Sequence, residues 1–245
     1  MNNRSEAIAP IYGDPATPAG LSAPGIPPYL QKVYWWAYLH PTAVRVFERE
    51  WLVNLILWGN FRRLRDAALA EFGEHVEQHV LQVACVYGNF TQRIAARLRG
   101  KGELDVVDVA PIQLTNLRRK LGADSPVRLH RQDSSALDFP AASVDSTLLF
   151  FLLHEQPEAV RRATLAEALR VTRPGVKVVI VDYHRPSRWH PLHLPMRLVL
   201  RTLEPYALDL WDHDITHYLP TGVDRAAVTT TTTFGGLYQK VVIQL

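Results

Sequence analysis

From residue 80 onward, short apolar runs alternate with longer stretches of helical periodicity, and this alternation narrows the possible folds more than any other feature of the chain. Runs at 80–83, 104–109 and 127–130 read as strands, and 90–98 and 111–121 between them read as helices. The apolar run 144–153 reads as a buried strand, followed by a helix at 157–171, a turn at Pro174-Gly175 and a strand at 176–183. Strands and helices in this order mean βαβ units and a parallel sheet covered on both faces. The chain ends differently. Residues 226–234, a Gly235-Gly236 turn and 237–245 read as a β-hairpin, with five threonines from Thr229 to Thr233 suited to a strand. The expected architecture is α/β: a Rossmann-like, mostly parallel sheet with an antiparallel C-terminal hairpin.

The N-terminal part divides from this unit by composition. Residues 1–25, with four prolines, three glycines and no apolar periodicity, read as a disordered leader. Residues 26–72 turn helical and rich in Trp, Tyr and Phe, interleaved with Lys32, Arg45, Arg49, Arg62, Arg63 and Arg65. Pro41 starts a helix in which Val44, Phe47, Trp51, Leu55 and Trp58 recur at three- and four-residue steps, the mark of one buried face. Two readings of 26–72 are compatible: a helical layer on the core, and a lid that receives an apolar ligand and lies on a bilayer. Residues 73–245 form the α/β domain.

Lys and Arg total 27 against 24 Asp and Glu, a net +3. No basic stripe marks a nucleic-acid binder. The single cysteine, Cys85, rules out an internal disulfide framework and fits a reducing compartment. Neither a membrane-spanning run nor a signal sequence is present, which points to a cytosolic chain or one resting against a membrane face.

In doubly wound sheets ligands bind beyond the carboxyl ends of the strands. Three features converge there: the loop from Gln82 to Thr91, Asp108 closing the second strand, and Asp133 just past the third. An acid in the position of Asp108 accepts hydrogen bonds from ribose hydroxyls, and Asp133 is placed to read an adenine edge. Each acid has an alternative use as a helix cap.

This order resembles the class I S-adenosylmethionine-dependent methyltransferases from residue 80 to the end, including Asp138-Phe139-Pro140, Leu153-His154-Glu155, Arg173-Pro174-Gly175 and the closing hairpin. The resemblance implies a nucleoside held by Asp108 and Asp133. The first loop departs from the superfamily's acid-x-Gly-x-Gly-x-Gly: Gln82, Ala84, Val86 and Gly88 stand at those places. The departures, together with Tyr34-Trp35-Trp36-Ala37-Tyr38, the segment 51–61, Leu148 to Pro157 and Leu203 to Trp211, are similar to the RquA family of rhodoquinone biosynthesis proteins. That resemblance implies ubiquinone as substrate, replacement of a ring methoxy group by an amino group, S-adenosylmethionine as amino donor, and Mn2+. It also implies peripheral association with the cytoplasmic face of the inner membrane.

A free α-amino group, with a pKa of about 7.7–8.0, is mostly protonated at neutral pH and a poor nucleophile. An uncharged Gln82 where the acid usually stands, with the bulky Val86-Tyr87 turn, is expected to present a neutral amine to the quinone. The candidate catalytic residues are Gln82, Tyr87, His154 and Tyr183. The candidate cofactor contacts are Gln82, Ala84, Val86, Tyr87, Gly88, Asp108, Val109, Asp133 and Ser134; Tyr34, Trp58 and Asn60 are expected to border the quinone. Manganese ligands are sought in two clusters, His154 with Asp182 and His184 at strand ends, and His213 with His217 one helical turn apart. The isoprenoid tail is expected between the N-terminal helices and the segment 191–210. Two rival readings remain: a conventional C- or O-methyltransferase acting on an apolar acceptor, and a non-catalytic cofactor-binding protein.

Overall fold

The computed structural model describes residues 25–245, so all but the last residue of the leader lies outside it. The core is a seven-stranded sheet in the order β3-β2-β1-β4-β5-β7-β6. Its strands are β1 (His79–Val83), β2 (Glu103–Asp108), β3 (Arg128–Arg131), β4 (Val144–Phe150), β5 (Thr172–Tyr183), β6 (Val228–Thr233) and β7 (Tyr238–Gln244). The first five are parallel; β7 runs antiparallel between β5 and β6. The helices are α1 (Pro28–Lys32), α2 (Pro41–Phe47), α3 (Glu50–Ile56), α4 (Phe61–Leu69), α5 (Phe90–Ala95), α6 (Pro111–Leu121), α7 (Glu158–Val171), α8 (His193–Leu203) and α9 (Asp209–Asp212). A π-helical turn, Trp35–Leu39, lies between α1 and α2.

The period-2 geometry of the strands splits the core into two layers. Val80, Val106, Leu148, Val179 and Val181 pack with α4, α5 and α6, whereas Leu81, Val107, Leu149, Val178 and Ile180 pack with α7 and the Ile215–Tyr218 turn. A third cluster joins α1 and the π turn to Ala110 through Leu30, Tyr34 and Leu39.

The expected order of strands and helices is found, with four local corrections. The helix after β1 stops at Ala95, because Leu98 forms a parallel bridge with Val76 instead. β4 ends at Phe150; Phe151 turns left-handed at φ 52°, and Leu153–Glu155 is a 3-10 turn. Pro174-Gly175 lies inside β5, where a register shift between Val144 and Ser146 accommodates it and Gly175 takes φ 85°.

The fourth correction concerns the aromatic segment. The helix from Pro41 does not run on to Trp58, because Arg49 is extended and separates α2 from α3. The expected buried face is lost with it: Val44 is buried, but Trp51, Leu55 and Trp58 are exposed.

Candidate active site

The carboxyl ends of β1, β2, β4 and β5 open into a cavity of about 650 Å³ roofed by the N-terminal helices and α8. That is the size range of sites for small organic ligands. One end is built on β1, β2 and the loop after β3. Asp108 closes β2 and accepts backbone N–H groups from Cys85 (2.8 Å) and Ala110 (2.8 Å). These bonds aim the carboxylate at the loop after β1 and leave it lone pairs for further donors. Burial nevertheless raises the Asp108 pKa. Val109, Asp133 and Ser134 line the same end. Asp133 Oδ1 accepts the Ser135 N–H (2.9 Å) and hydroxyl (2.7 Å), while Ser134 Oγ is tied to Thr164 (2.9 Å) and Gln156 (2.9 Å).

Two residues of the loop after β1 are left-handed, and only one of them is a glycine. Ala84 is left-handed at φ 74°, and Gly88 at φ 78° packs against the Phe61 ring, where a Cβ would come within 3.0 Å. Val86 and Tyr87 line the cavity. Tyr87 is locked: its hydroxyl donates to Ala37 O (2.7 Å) and accepts from Gln113 (2.7 Å), and its ring stacks on Tyr38 at 5.8 Å. Glu48, at the α2–α3 break, accepts the Gly88 N–H (3.0 Å) and pairs with Lys120 (2.6 Å). The aromatic segment is thereby fastened onto the loop.

The other end follows β4 and β5. His154 Nδ1 bonds Asp182 Oδ1 (2.9 Å), and Asp182 Oδ2 accepts the Leu153 N–H (2.9 Å). Burial disfavours the imidazolium, but the Asp182 carboxylate outweighs it and holds the His154 pKa up at about 9. Burial pushes Glu155 up to about 8, against the opposing pull of His154. Burial also raises Tyr183, at the end of β5, well above its ordinary range. Phe151, Met196, Leu200 and Leu203 supply apolar wall. At the mouth, α3 and α8 face each other, joined by the Trp58 Nε1–H to Met196 sulfur contact of 3.1 Å.

Of the expected site residues, Ala84, Val86, Tyr87, Asp108, Val109, Asp133, Ser134, His154, Tyr183 and Trp58 line this cavity. Gln82 does not. It is fully buried, with its amide donating to Ala84 O (2.9 Å) and its carbonyl accepting from the Thr91 hydroxyl (3.0 Å), so it braces the loop and does not face a ligand. Gly88 sits behind the loop. Asn60 bonds the carbonyls of Leu57 (3.1 Å) and Trp58 (2.9 Å) and shapes the turn into α4. Tyr34 is buried in the N-terminal cluster. Glu155 lines it too, beside His154 at the strand end as expected; Glu204 and Tyr38 line the cavity without having been expected there. The available signal for Glu204 was an isolated acid closing an apolar helix whose other charges are arginines.

The manganese ligand sets are corrected. Asp182 spends both oxygens on backbone N–H groups and His154, and His184 Nδ1 is bonded to Gly236 O (2.7 Å). α9 stops at Asp212, so His213 and His217 do not share a helix, and their rings stack at 4.2 Å. Among the described residues, no three His, Cys, Asp or Glu side chains are grouped to hold a metal ion. No step is therefore assigned to manganese.

Residues 80–175 match the family model of a methyltransferase domain. The chain is 27% identical over 146 residues to a demethylmenaquinone methyltransferase of Lactiplantibacillus plantarum, a match covering 58% of this chain and 60% of that protein. It is 31% identical over 140 residues to the Deinococcus radiodurans protein of the same name (56% of each). It is 26% identical over 137 residues to the ubiquinone/menaquinone biosynthesis C-methyltransferase UbiE of Coxiella burnetii (55% of this chain, 54% of that protein). The chain thus spans little more than half the length of these relatives. Among solved structures, an O-methyltransferase family protein from Burkholderia thailandensis aligns with a TM-score of 0.62 at 16% identity, covering 84% of this chain and 61% of that one. PH0226 from Pyrococcus horikoshii aligns with a TM-score of 0.58 at 14% identity (86% and 97%). These likenesses establish the fold.

Proposed function

We propose that this chain, a member of the class I S-adenosylmethionine-dependent methyltransferase superfamily, uses S-adenosylmethionine to substitute the ring of a long-tailed quinone, exchanging a methoxy group of ubiquinone for an amino group. The observation that carries the reading is the single cavity joining nucleoside-type acids at one end to an apolar, aromatic end that opens between α3 and α8. When bound, S-adenosylmethionine supplies the transferred nitrogen. Asp108 and Asp133 hold its ribose and adenine, and the left-handed Ala84 turn brings backbone close to it. Val86 and the locked Tyr87 fill space that glycines leave open, and His154 and Tyr183 on the same cavity would face the amino-acid end of the cofactor. The buried, apolar wall excludes water from the ring, which matters because water competes with the nitrogen. The resemblance to the RquA family agrees with this choice of transferred group.

A second reading, methyl transfer to a quinone ring carbon, is favoured by the relatives' names. Incubating the protein with S-adenosylmethionine labelled with 15N at the amino group and 13C at the methyl group, once with ubiquinone and once with a quinol that has an unsubstituted ring carbon, separates the two. The expected product carries 15N, lacks one methoxy group and has no 13C. Product carrying 13C alone establishes methyl transfer, and tight cofactor binding with neither label transferred establishes a non-catalytic protein.

Entry from a lipid phase completes the proposal. Leu55, Ile56 and Trp58 on one side of the mouth, and Leu198, Val199 and Leu203 on the other, are exposed. Arg62, Arg63, Arg197 and Arg201 are exposed on the same helices or beside them. Apolar side chains flanked by arginine suit the surface of an anionic membrane. Among the described residues no helix is long and apolar enough to cross one.

A further inference from the structure

We propose that Glu204 is a catalytic acid at the acceptor end of the cavity, held against the free nitrogen of His154 and placed to give and recover the proton that ring substitution requires. The inference rests on the quinone reading of the cavity and deepens it.

Glu204 is the first residue past α8, fixed there by its N–H bond to Leu200 O (2.9 Å). Its side chain lines the cavity, and Oε2 is buried with no hydrogen-bond partner. Asp182 fixes the His154 ring through Nδ1, so Nε2 is the nitrogen left to face the carboxyls. It lies 4.0 Å from Glu204 Oε2 and 3.8 Å from Glu155 Oε1. The Tyr34 hydroxyl, also buried, is close enough to Glu204 to draw its pKa down. Buried polar atoms are nearly always hydrogen-bonded. Glu204 Oε2, on the cavity wall beside the His154 imidazole, is one that is not, and it marks a place that a bound oxygen completes.

The chemistry asks for such a group. As the carbon–nitrogen bond forms, the carbon–oxygen bond to the methoxy group breaks and its electron pair goes to oxygen. Glu204 gives its proton to that oxygen, and methanol leaves. The proton lost by the incoming nitrogen returns to the Glu204 carboxylate, so the residue ends this substitution as it began. The nitrogen would then still carry the α-carbon of its donor. That bond breaks when the α-hydrogen leaves as a proton, two electrons pass into the quinone ring, and water hydrolyses the resulting imine to a 2-oxo acid and an aminohydroquinone, with no external oxidant or reductant consumed.

The surroundings keep the proton available. Burial raises the Glu204 pKa, with His154 and the Tyr34 hydroxyl opposing and Asp182 adding to it. The other titratable groups around it are Glu155, Tyr34, Tyr38 and Tyr183, all raised by burial. A raised carboxyl keeps its proton to a higher pH than an ordinary one, and the donor is lost as pH rises through its pKa.

Infrared difference spectroscopy, ligand binding and turnover of the full chain and of Glu204→Gln and Glu204→Asp test the assignment, with a short-tailed ubiquinone as probe. Wild type should show a neutral-carboxyl band that moves when quinone is added, and Glu204→Gln should lack it. That variant should bind quinone and cofactor within about 3-fold of wild type but form product at least about 100-fold more slowly, with partial recovery in Glu204→Asp. Near-wild-type turnover of Glu204→Gln, or a carboxyl band indifferent to that substitution, overturns the proposal. If wild type transfers no label at all, the functional reading fails. The infrared arm then decides alone: a quinone-induced shift of the Glu204 band supports the assignment, and its absence overturns it.

Discussion

Ala84 shows how a residue can keep a backbone its side chain disfavours. A left-handed residue with a Cβ costs roughly 1–2 kcal/mol, and Ala84, Trp58 and Phe151 all adopt this conformation on the cavity wall. Such strain gathers where the surrounding structure imposes a shape that function uses. Ala84→Gly should therefore raise stability in urea unfolding by about 0.5–1 kcal/mol, the relief of strain exceeding the added entropy of the unfolded chain. An unchanged or lower midpoint would show that the turn is not strained. Asp108→Asn should weaken S-adenosylmethionine binding by about 10- to 100-fold in calorimetry, the loss expected for charge-assisted hydrogen bonds. Asp108 and Asp133 were legible in the sequence because strand ends fix where an acid must sit. Gln82 was misread because it is one residue short of the strand end, and its amide turns into the loop. Glu204 stood out only as a lone acid closing α8, because its partner, His154, is fifty residues away and meets it only through the packing of that helix.

At the scale of elements, one buried arginine sets the acceptor end. Arg161 on α7 is fully buried and donates to the carbonyls of Leu153 (2.9 Å), Gln156 (2.9 Å) and Tyr206 (2.9 Å), with its guanidinium 4.6 Å over the Tyr218 ring. It thus ties the turn carrying His154 and Glu155 to the segment that follows Glu204. Arg161→Lys lacks the planar fork that reaches three carbonyls and should cost about 3 kcal/mol of unfolding free energy. A loss under about 1 kcal/mol would contradict this role.

At the opposite sheet edge, Asp105 is buried among Arg128 (2.7 Å), His79 (2.5 Å) and His130 (2.6 Å). Burial disfavours its charge, but these donors outweigh burial and hold its pKa well below the usual range. A depressed carboxyl stabilises the fold above its unfolded value of about 3.9 and loses that contribution as pH falls. Asp105→Asn should therefore flatten the fall in stability below about pH 4. The order of strands was legible because apolar runs and turns alternate cleanly; the break at Arg49 was not, because the contacts that anchor the end of α2 there, from Glu48 to Gly88 and Lys120, are distant in sequence.

At the scale of the whole molecule, the aromatic N-terminal layer and α8 make a roof whose outer surface is apolar at the cavity mouth. Liposomes containing anionic lipid should carry the protein upward on flotation at low salt, and Leu55→Asp with Leu198→Asp should abolish this while leaving the fold intact. Protein remaining at the bottom with wild-type sequence would remove lipid entry from the account. Amino transfer requires one orientation of the bound cofactor, and a crystal structure with S-adenosylhomocysteine and a short-tailed ubiquinone bound together would reveal it. The amino nitrogen is expected against the methoxy-bearing ring carbon, beside Glu204. A sulfur atom facing the ring, with the nitrogen held away from it by backbone carbonyls, would contradict it.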